Sequence, residues 1–501
     1  MTLEEDLAQF VFGLTRGASP QKSYRQLLER IFFQSQHHPN VENLKAVSIA
    51  LVAHTRDIVS GKGECALFYQ LMGVLVLMSD DYPLFVPLVK ELLAKTVTPT
   101  DCSPPYGSWK DIKYLLHHLR EVYGEAQLVT KPLFTDIVTL LVDQLRADSQ
   151  SGDGSITLAG KWAPREKSAF GWLAPHVADA CFPHLKPHSA CRAYRRMLSS
   201  LNRRLDTVQV LQCERRWAAI DFDNRVTKRT LFRQRNAFAR ASEMDYDRRA
   251  CKRRFANHLA DIDHGRTHSP AQVSVGELVR ETVREPTSVD ALWGDHQVPP
   301  LGCVIPFVDT SASVAGITKE ALFAAIGIGI QIAQRSAFGR RLLAFSSNVS
   351  WVNLDGASTL SGMVHQIPCE ELGSNLEGAF AFFLERVAES GVNPAYMKHY
   401  TIVIISDMNF DNGYTHDDLK AQFEKAGVAM PHIVYWNVAP SNRRLLADIT
   451  ETNVTFLSGF QASAIRRILY KKKGGGNANT AWNKLVNTMC APRYSWVWCV
   501  L

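Results

Sequence analysis

No two of the ten cysteines stand in C-x-x-C spacing, which leaves a zinc ribbon unsupported. Many of them, such as Cys65 and Cys303, lie among apolar neighbours, as expected for buried, reduced thiols in an intracellular protein. The opening stretch "MTLEEDLAQF" is acidic and lacks a signal-peptide pattern. No uninterrupted apolar run approaches the roughly 20 residues of a membrane span, so no membrane partner is expected. The closing "SWVWCVL" is apolar, but Cys499 is third from the end rather than fourth, one position off the prenylation pattern. Catalytic signatures are missing too. There is no G-x-S-x-G elbow, and "SGKGE" (60–64) is too short for the P-loop pattern G-x-x-x-x-G-K-[ST]. No nucleophile–base set emerges, and the expectation is a protein without enzymatic activity.

What is present is ordinary globular material. At roughly 150 residues per domain, 501 residues suggest two to four domains, and 46% hydrophobic with 21% charged residues can bury a sizeable core. The net charge of +7 is unevenly spread. Between Arg192 and Arg254 there are 18 Lys+Arg against 7 Asp+Glu, a local +11, and the rest of the chain is −4. Such an excess points to polyanionic partners; the plainer alternative is a solvated helical face.

The chain has two grammars. From Leu3 to about Arg280, segments such as "YRQLLERIFFQ", "CALFYQLMGVLVLMS" and "CRAYRRMLSSLNRRLDTVQVLQ" carry apolar residues at three- and four-residue steps. Pro and Gly clusters separate them, which predicts stacked helix pairs, a solenoid or a bundle, without a strict sequence repeat. After "REPTSVDALWGDHQVPPLG", strand-like runs alternate with helices: "CVIPFVD", "RLLAFSS", "VSWVN", "YTIVIISD", "PHIVYWN" and "NVTFLSG". That alternation predicts a doubly wound parallel sheet covered on both faces. The fold class expected is therefore α followed by α/β. The expected divisions are a helical domain over 1–285, a linker over 286–300, an α/β domain over 301–470, and a basic Gly-rich loop with a C-terminal segment over 471–501.

In such sheets ligands gather at the carboxyl ends of the strands. Two predicted strands end in Asp, at Asp309 and Asp407. Asp309, Ser311 and Ser313 form D-x-S-x-S, and "LGSNLEGAF" places Ser374 at a Gly-rich turn before a helix. Carboxylates and hydroxyls suit Mg2+, or Mn2+, in octahedral geometry. The alternative is a Ser-rich turn whose residues cap a helix. A haloacid-dehalogenase phosphatase would need a second Asp two residues after the first, where Ser311 stands.

D-x-S-x-S followed by a later hydroxyl and Asp resembles the metal-ion-dependent adhesion site of the von Willebrand factor A domain, over roughly 298–469. The family's threonine position falls on Ser374, which keeps the hydroxyl. The resemblance implies a divalent cation held by Asp309, Ser311, Ser313, Ser374 and Asp407. In the helical half, "TRDIVSGKGECALFYQLM" and "PPYGSWKDIKYLLHH" resemble the TROVE module of the Ro autoantigen and of telomerase- and vault-associated proteins. The shared pattern is an Arg-Asp pair, a Gly-Lys-Gly turn opening a helix, and an aromatic-Gly-x-Trp-x-Asp helix start. "KWAPREKSAFGWLA" and "YRRMLSSLNRRLDTVQVLQCERRWAAIDF" are similar to uncharacterised proteins that join a TROVE-like region to an A-like domain. The resemblance implies a HEAT-like helical ring closed by that domain, with single-stranded or misfolded RNA ends, or a structured small RNA on a basic outer surface, as ligand.

The residues lend this expectation separate support. The segment 192–254 interleaves Arg doublets with aromatics, and Arg with stacking rings is the chemistry of single-stranded RNA binding. At helical spacing, the plainer reading puts the rings in the core. Candidate RNA contacts are Lys62, Lys110, His117, Lys161, Arg195, Arg196, Arg203, Arg204, Arg215 and Arg216. Lys110 and His117 lie seven residues apart on one helical face and resemble the Lys and His of the Ro family's RNA-facing helix. Lys62, between two glycines, meets a phosphate or caps a neighbouring helix. The expectation is a monomer in the cytoplasm, with the nucleus as the alternative location. The rival function is an interaction scaffold whose metal site takes an acidic group from a partner protein.

Overall fold

The computed structural model describes residues 2–99, 103–152, 156–242, 244–263, 273–285, 289–294, 300–315, 319–369, 373–440, 444–461, 464–465 and 480–501. Its first half is helical: α1 (Leu3–Gly13), α2 (Gln21–Glu29), α3 (Val41–Arg56), α4 (Cys65–Asp81), α5 (Phe85–Val97), α6 (Lys110–Tyr123), α7 (Glu125–Leu128), α8 (Pro132–Gln150), α9 (Ala159–Trp162), α10 (Leu173–Cys181) and α11 (Pro187–Leu205). Apolar residues occupy α3 and α4 on nearly every side, so these two helices lie in the middle of one core. By contrast α11 is strongly two-faced. Ala190, Tyr194, Leu198 and Leu201 are buried, and the arginines stay outside.

The short helices α12 (Val208–Cys213), α13 (Lys228–Ala239), α14 (Tyr246–Asp263), α15 (Val275–Arg284) and α16 (Asp290–Gly294) lead into the α/β half. That half runs β1 (Val304–Asp309), α17 (Ala312–Ala315), α18 (Glu320–Arg335), β2 (Arg341–Phe345), β3 (Val349–Asn353), α19 (Leu360–His365), α20 (Leu376–Glu389), β4 (Thr401–Ser406), α21 (His416–Lys425), β5 (His432–Asn437) and β6 (Val454–Ser458). The six strands form one sheet in the order β3-β2-β1-β4-β5-β6, parallel except for β3, which pairs antiparallel with β2. Side chains alternate cleanly between two cores. Val308, Val403, Ile405, Val434 and Trp436 join one core, whereas Ile305, Phe307, Ile402, Ile404, Ile433 and Tyr435 join the other. Burial on both faces explains why the strands read as continuous apolar runs.

The predicted strands and the two-part architecture, helical then α/β, are present. Helices α12 to α16 share their core with one face of the sheet, and the helical half's last residue in the first core is Leu201. The helix expected over "CRAYRRMLSSLNRRLDTVQVLQ" is broken between α11 and α12, where Asp206 takes a left-handed conformation with φ 46. After β6, helices α22 (Ala481–Met489) and α23 (Val497–Val500) return to the first core through Met489, Tyr494, Trp496 and Val497. The basic loop "KKKGGGN" and most of the helix expected at "QASAIRRILYKKK" fall outside the described residues. Described cysteines are free thiols, and Cys181 and Cys251 are fully buried; Cys65 and Cys303 are half-buried. Among the described residues no helix is long and apolar enough to cross a membrane.

One joint ties the halves together. At its end α1 leaves backbone carbonyls without partners in the helix. Asn437 at the end of β5 donates to the Phe12 carbonyl, and Ser458 at the end of β6 donates to that of Val11. Lys62 Nζ donates to the Val11 carbonyl at 3.0 Å, to that of Leu14 at 2.6 Å and to Ser458 Oγ at 2.7 Å. The flanking glycines aim this ammonium inward. A Cβ on Gly61 would fall 1.9 Å from the His54 carbonyl oxygen, and Gly63 has φ +67 with Gln461 Nε2 2.5 Å from where its Cβ would be. Lys62 thus caps a helix rather than offering its charge to solvent. Lys62→Met keeps the apolar stem and removes three charge-assisted bonds. It is expected to lower unfolding stability by about 3 kcal/mol, read by urea denaturation.

Candidate functional site

Strands β1 and β4 are parallel neighbours whose chains leave toward opposite sides of the sheet, which opens a crevice beyond their carboxyl ends. The D-x-S-x-S loop enters this crevice from β1 and Asp407 enters from β4. Asp309 is completely buried. Its Oδ2 accepts hydroxyl hydrogen bonds from Ser374 at 2.7 Å and Ser406 at 2.6 Å, and its Oδ1 accepts the Ser311 amide at 3.0 Å. The hydroxyls of Ser311 and Ser313 stand 3.0 Å apart. Ser406 Oγ also lies 3.4 Å from Asp407 Oδ1, so the two carboxylates flank a single hydroxyl. Burial pushes the Asp309 carboxyl above its ordinary range, against the hydrogen bonds from Ser311, Ser406 and Ser374. All five residues singled out in the sequence therefore come to one place.

Two further residues belong to it. Ser406 follows Ile405, which pairs with Val308, so it is the cross-strand neighbour of Asp309. Its signal was a polar residue ending the apolar run "TIVIIS". Asp411 is exposed, its amide donates to the Ser374 carbonyl, and its Oδ2 lies 2.4 Å from where a Cβ on Gly373 would be. Between them Met408 has φ 62, a left-handed bend directly after Asp407. Acceptors and hydroxyls of this kind fit a hard divalent cation. Among the described residues no three His, Cys, Asp or Glu side chains cluster as a metal site, so any cation here would depend on the serine hydroxyls.

The basic candidates scatter. Arg204 donates to the Asp148, Ser151 and Gly152 carbonyls, capping the end of α8. Arg195 binds both oxygens of Glu166. Arg216 pairs with Glu214 and Asp206, and Arg215 is exposed in a left-handed turn with φ 57. Arg196 and Arg203 are exposed on α11. Most of the rings in 192–254 are core: Tyr194, Phe222, Phe232 and Phe238 are buried, as is Phe255 just beyond, Trp217 lies under Arg248, and Tyr246 is open to solvent.

Cations and rings also meet around α6 and α9, which touch each other. Lys110 and His117 are half-buried on α6, and His117 Nδ1 is buried without a hydrogen-bond partner. Lys161 on α9 sits 5.5 Å over the Trp162 ring. Sequence reasoning missed Lys113, whose Nζ lies 4.9 Å from the centre of Phe170, 5.1 Å from Trp162 and 6.0 Å from Tyr114. Burial, with Arg165 nearby, pushes its amine down to about 8.

Comparison with known proteins covers the strand-end site. Residues 303–488 match the family model of a domain of unknown function, DUF7788, a stretch that runs from just before β1 into α22. The chain is also similar to an uncharacterised protein of Acanthamoeba polyphaga mimivirus, 25% identical over 461 residues, covering 85% of this chain and 77% of the viral one. This second likeness spans both the helical region and the sheet.

Lys113 gives a pH signature with a definite sign. Its folded value lies below that of the unfolded chain, so the burial penalty is complete below about pH 8. As pH rises toward the ordinary lysine value, the unfolded chain holds a proton that the folded chain has lost, and stability rises. In thermal melts between pH 7 and pH 10, the wild type is expected to gain stability relative to Lys113→Met across that window; parallel curves would contradict it.

Proposed function

We propose that this chain is a non-enzymatic, intracellular RNA-binding protein of Ro-like build. Its helical region follows the TROVE pattern and its sheet is a von Willebrand A-like domain that holds a divalent cation. The observation that carries the RNA reading is a stripe of arginines on α11. Arg192, Arg196 and Arg203 are exposed and share one helical face, with no carboxylate partner among the described residues. The stripe is about 16 Å long at 1.5 Å per residue, enough to follow a phosphate backbone. Arg249, Lys252 and Arg253 make a second exposed group on α14. Arginines left without carboxylates gain most from phosphates, whose bound counterions are released on contact.

Affinity for a single-stranded RNA oligomer, measured by fluorescence anisotropy, is expected to fall steeply with salt. Replacing Arg192, Arg196 and Arg203 with Gln is expected to flatten the logarithmic salt slope by about 2, at roughly 0.7 per phosphate contact. No affinity even at low salt would overturn the reading.

The cation reading rests on donor chemistry and strand order. Asp309, Ser311, Ser313, Ser374 and Asp407 would hold Mg2+, or Mn2+, at the switch point of a sheet whose β3 edge strand is antiparallel. A bound ion would supply positive charge that offsets the buried Asp309 carboxylate and would offer an open position to an acidic oxygen. Exposure of Ser313 at the mouth favours the second reading as well, a scaffold that captures an acidic side chain from a partner protein. Mg2+ at a hundredfold excess over its Kd is expected to stabilise the fold by about 2.7 kcal/mol, with no such gain in Asp309→Ala. A partner captured only with Mg2+ and indifferent to nuclease would favour the scaffold.

A further inference from the structure

The α6–α9 face differs from the arginine stripe in kind. On α11 the neighbouring ring, Tyr194, is buried, so the arginines offer charge alone. On α6 and α9 rings and cations share the surface. Tyr114 is 40% exposed, lies parallel to Tyr69 at 6.0 Å and meets Phe170 edge-on at 4.8 Å. His117 meets the same Phe170 ring edge-on at 5.3 Å. Lys110, Lys113, Lys161, Arg165 and Lys167 have no carboxylate partner among the described residues. Nearby acids are engaged elsewhere: Glu166 with Arg195, and Glu121 beside His117 and His118.

Lys113 and Lys161, half-buried and facing rings, are solvated poorly and meet no carboxylate among the described residues. The rings stabilise them in part. An anion that also carries a flat ring would satisfy both features at once, the anion at the ammonium groups and the ring by stacking. The face is also continuous with the stripe. Helix α9 contacts α11, and Arg195 reaches across to the loop that carries Arg165 and Phe170 by binding Glu166.

We infer that this face seats one unstacked nucleotide of a single-stranded RNA whose backbone follows α11, with its phosphate beside Lys113 and Arg165 and its base against Tyr114. The inference rests on the RNA reading above and adds a position at which a base, not only a phosphate, is held.

The test uses the full chain with a labelled short oligouridylate and an abasic ribose-phosphate oligomer of the same length. Tyr114→Ala is expected to weaken oligouridylate about tenfold, the effect of losing one stacked base, and to leave the abasic oligomer unchanged. Lys113→Met is expected to weaken both. Tyr114 is exposed, so its truncation decides the matter even where Lys113→Met fails to give a cooperative melt. Equal losses for both oligomers in Tyr114→Ala would overturn base stacking. Unchanged oligouridylate affinity in Tyr114→Ala, together with weakening in Arg196→Gln, would overturn this seat and leave RNA binding intact. Absence of binding by the wild type at low salt would overturn both.

Discussion

Three carbonyl oxygens at the end of the first helix hold the two halves of this protein against each other. Those of Val11, Phe12 and Leu14 have their donors in Asn437, Ser458 and Lys62. A positive charge at a helix C-terminus complements the helix dipole, and burial makes the match obligatory rather than optional. Because two of the donors stand at the carboxyl ends of β5 and β6, the helical region docks on the same edge of the sheet that carries the strand-end site. Arg16 extends the contact with three bonds to Glu64, a looser pair with Glu320 at the start of α18, and a place over the Phe460 ring. A second tie returns from the far end of the chain. Asp57 is fully buried and accepts from Arg493 and Tyr494, so the last helices close back onto the first core.

These ties reassign the motifs of the helical half. The Arg-Asp pair, the Gly-Lys-Gly turn and the aromatic-Gly-x-Trp-x-Asp start are buried machinery. Arg56 binds Asp111 at 2.7 Å, with both side chains buried, and Asp111 also takes the Ser108 amide. Asp57 holds Arg493, and Lys62 caps α1. Removing either member of a buried pair strands a charge in the interior, which costs several kcal/mol. Such residues are constrained for the fold first, and the surface left for ligands lies on other positions.

Legibility followed the physics of each element. Strands β1, β4 and β5 were readable because burial on both faces makes an uninterrupted apolar run. Their polar ends were readable because ligand sites of a parallel sheet gather at its carboxyl edge. Ser374 was readable as a hydroxyl at a Gly-rich turn, but its position is fixed by Asp309 across the sheet rather than by local sequence. Ser406 escaped because one hydroxyl at a strand end looks like a simple stop; only the register, which puts it beside Asp309, gives it a role. Which core receives α12 to α16 was not readable, because amphipathic helices look alike whichever core they join. Lys113 was passed over because cation–ring contacts join residues 113, 162 and 170, a spacing with no local signature.

The break at Asp206 gives the basic segment its physical meaning. Helix α11 belongs to the first core, whereas α13 and α14 belong to the core under the sheet. The excess of positive charge between Arg192 and Arg254 therefore straddles the boundary between the two units. Asp206 sits at that boundary, within 3.6 Å of Arg216 and 3.8 Å of Arg225, and moderates the local repulsion. Like charges on two bodies push them apart unless something negative lies across both. On the proposed reading, an RNA backbone running from the α11 stripe toward α14 would neutralise both sides at once.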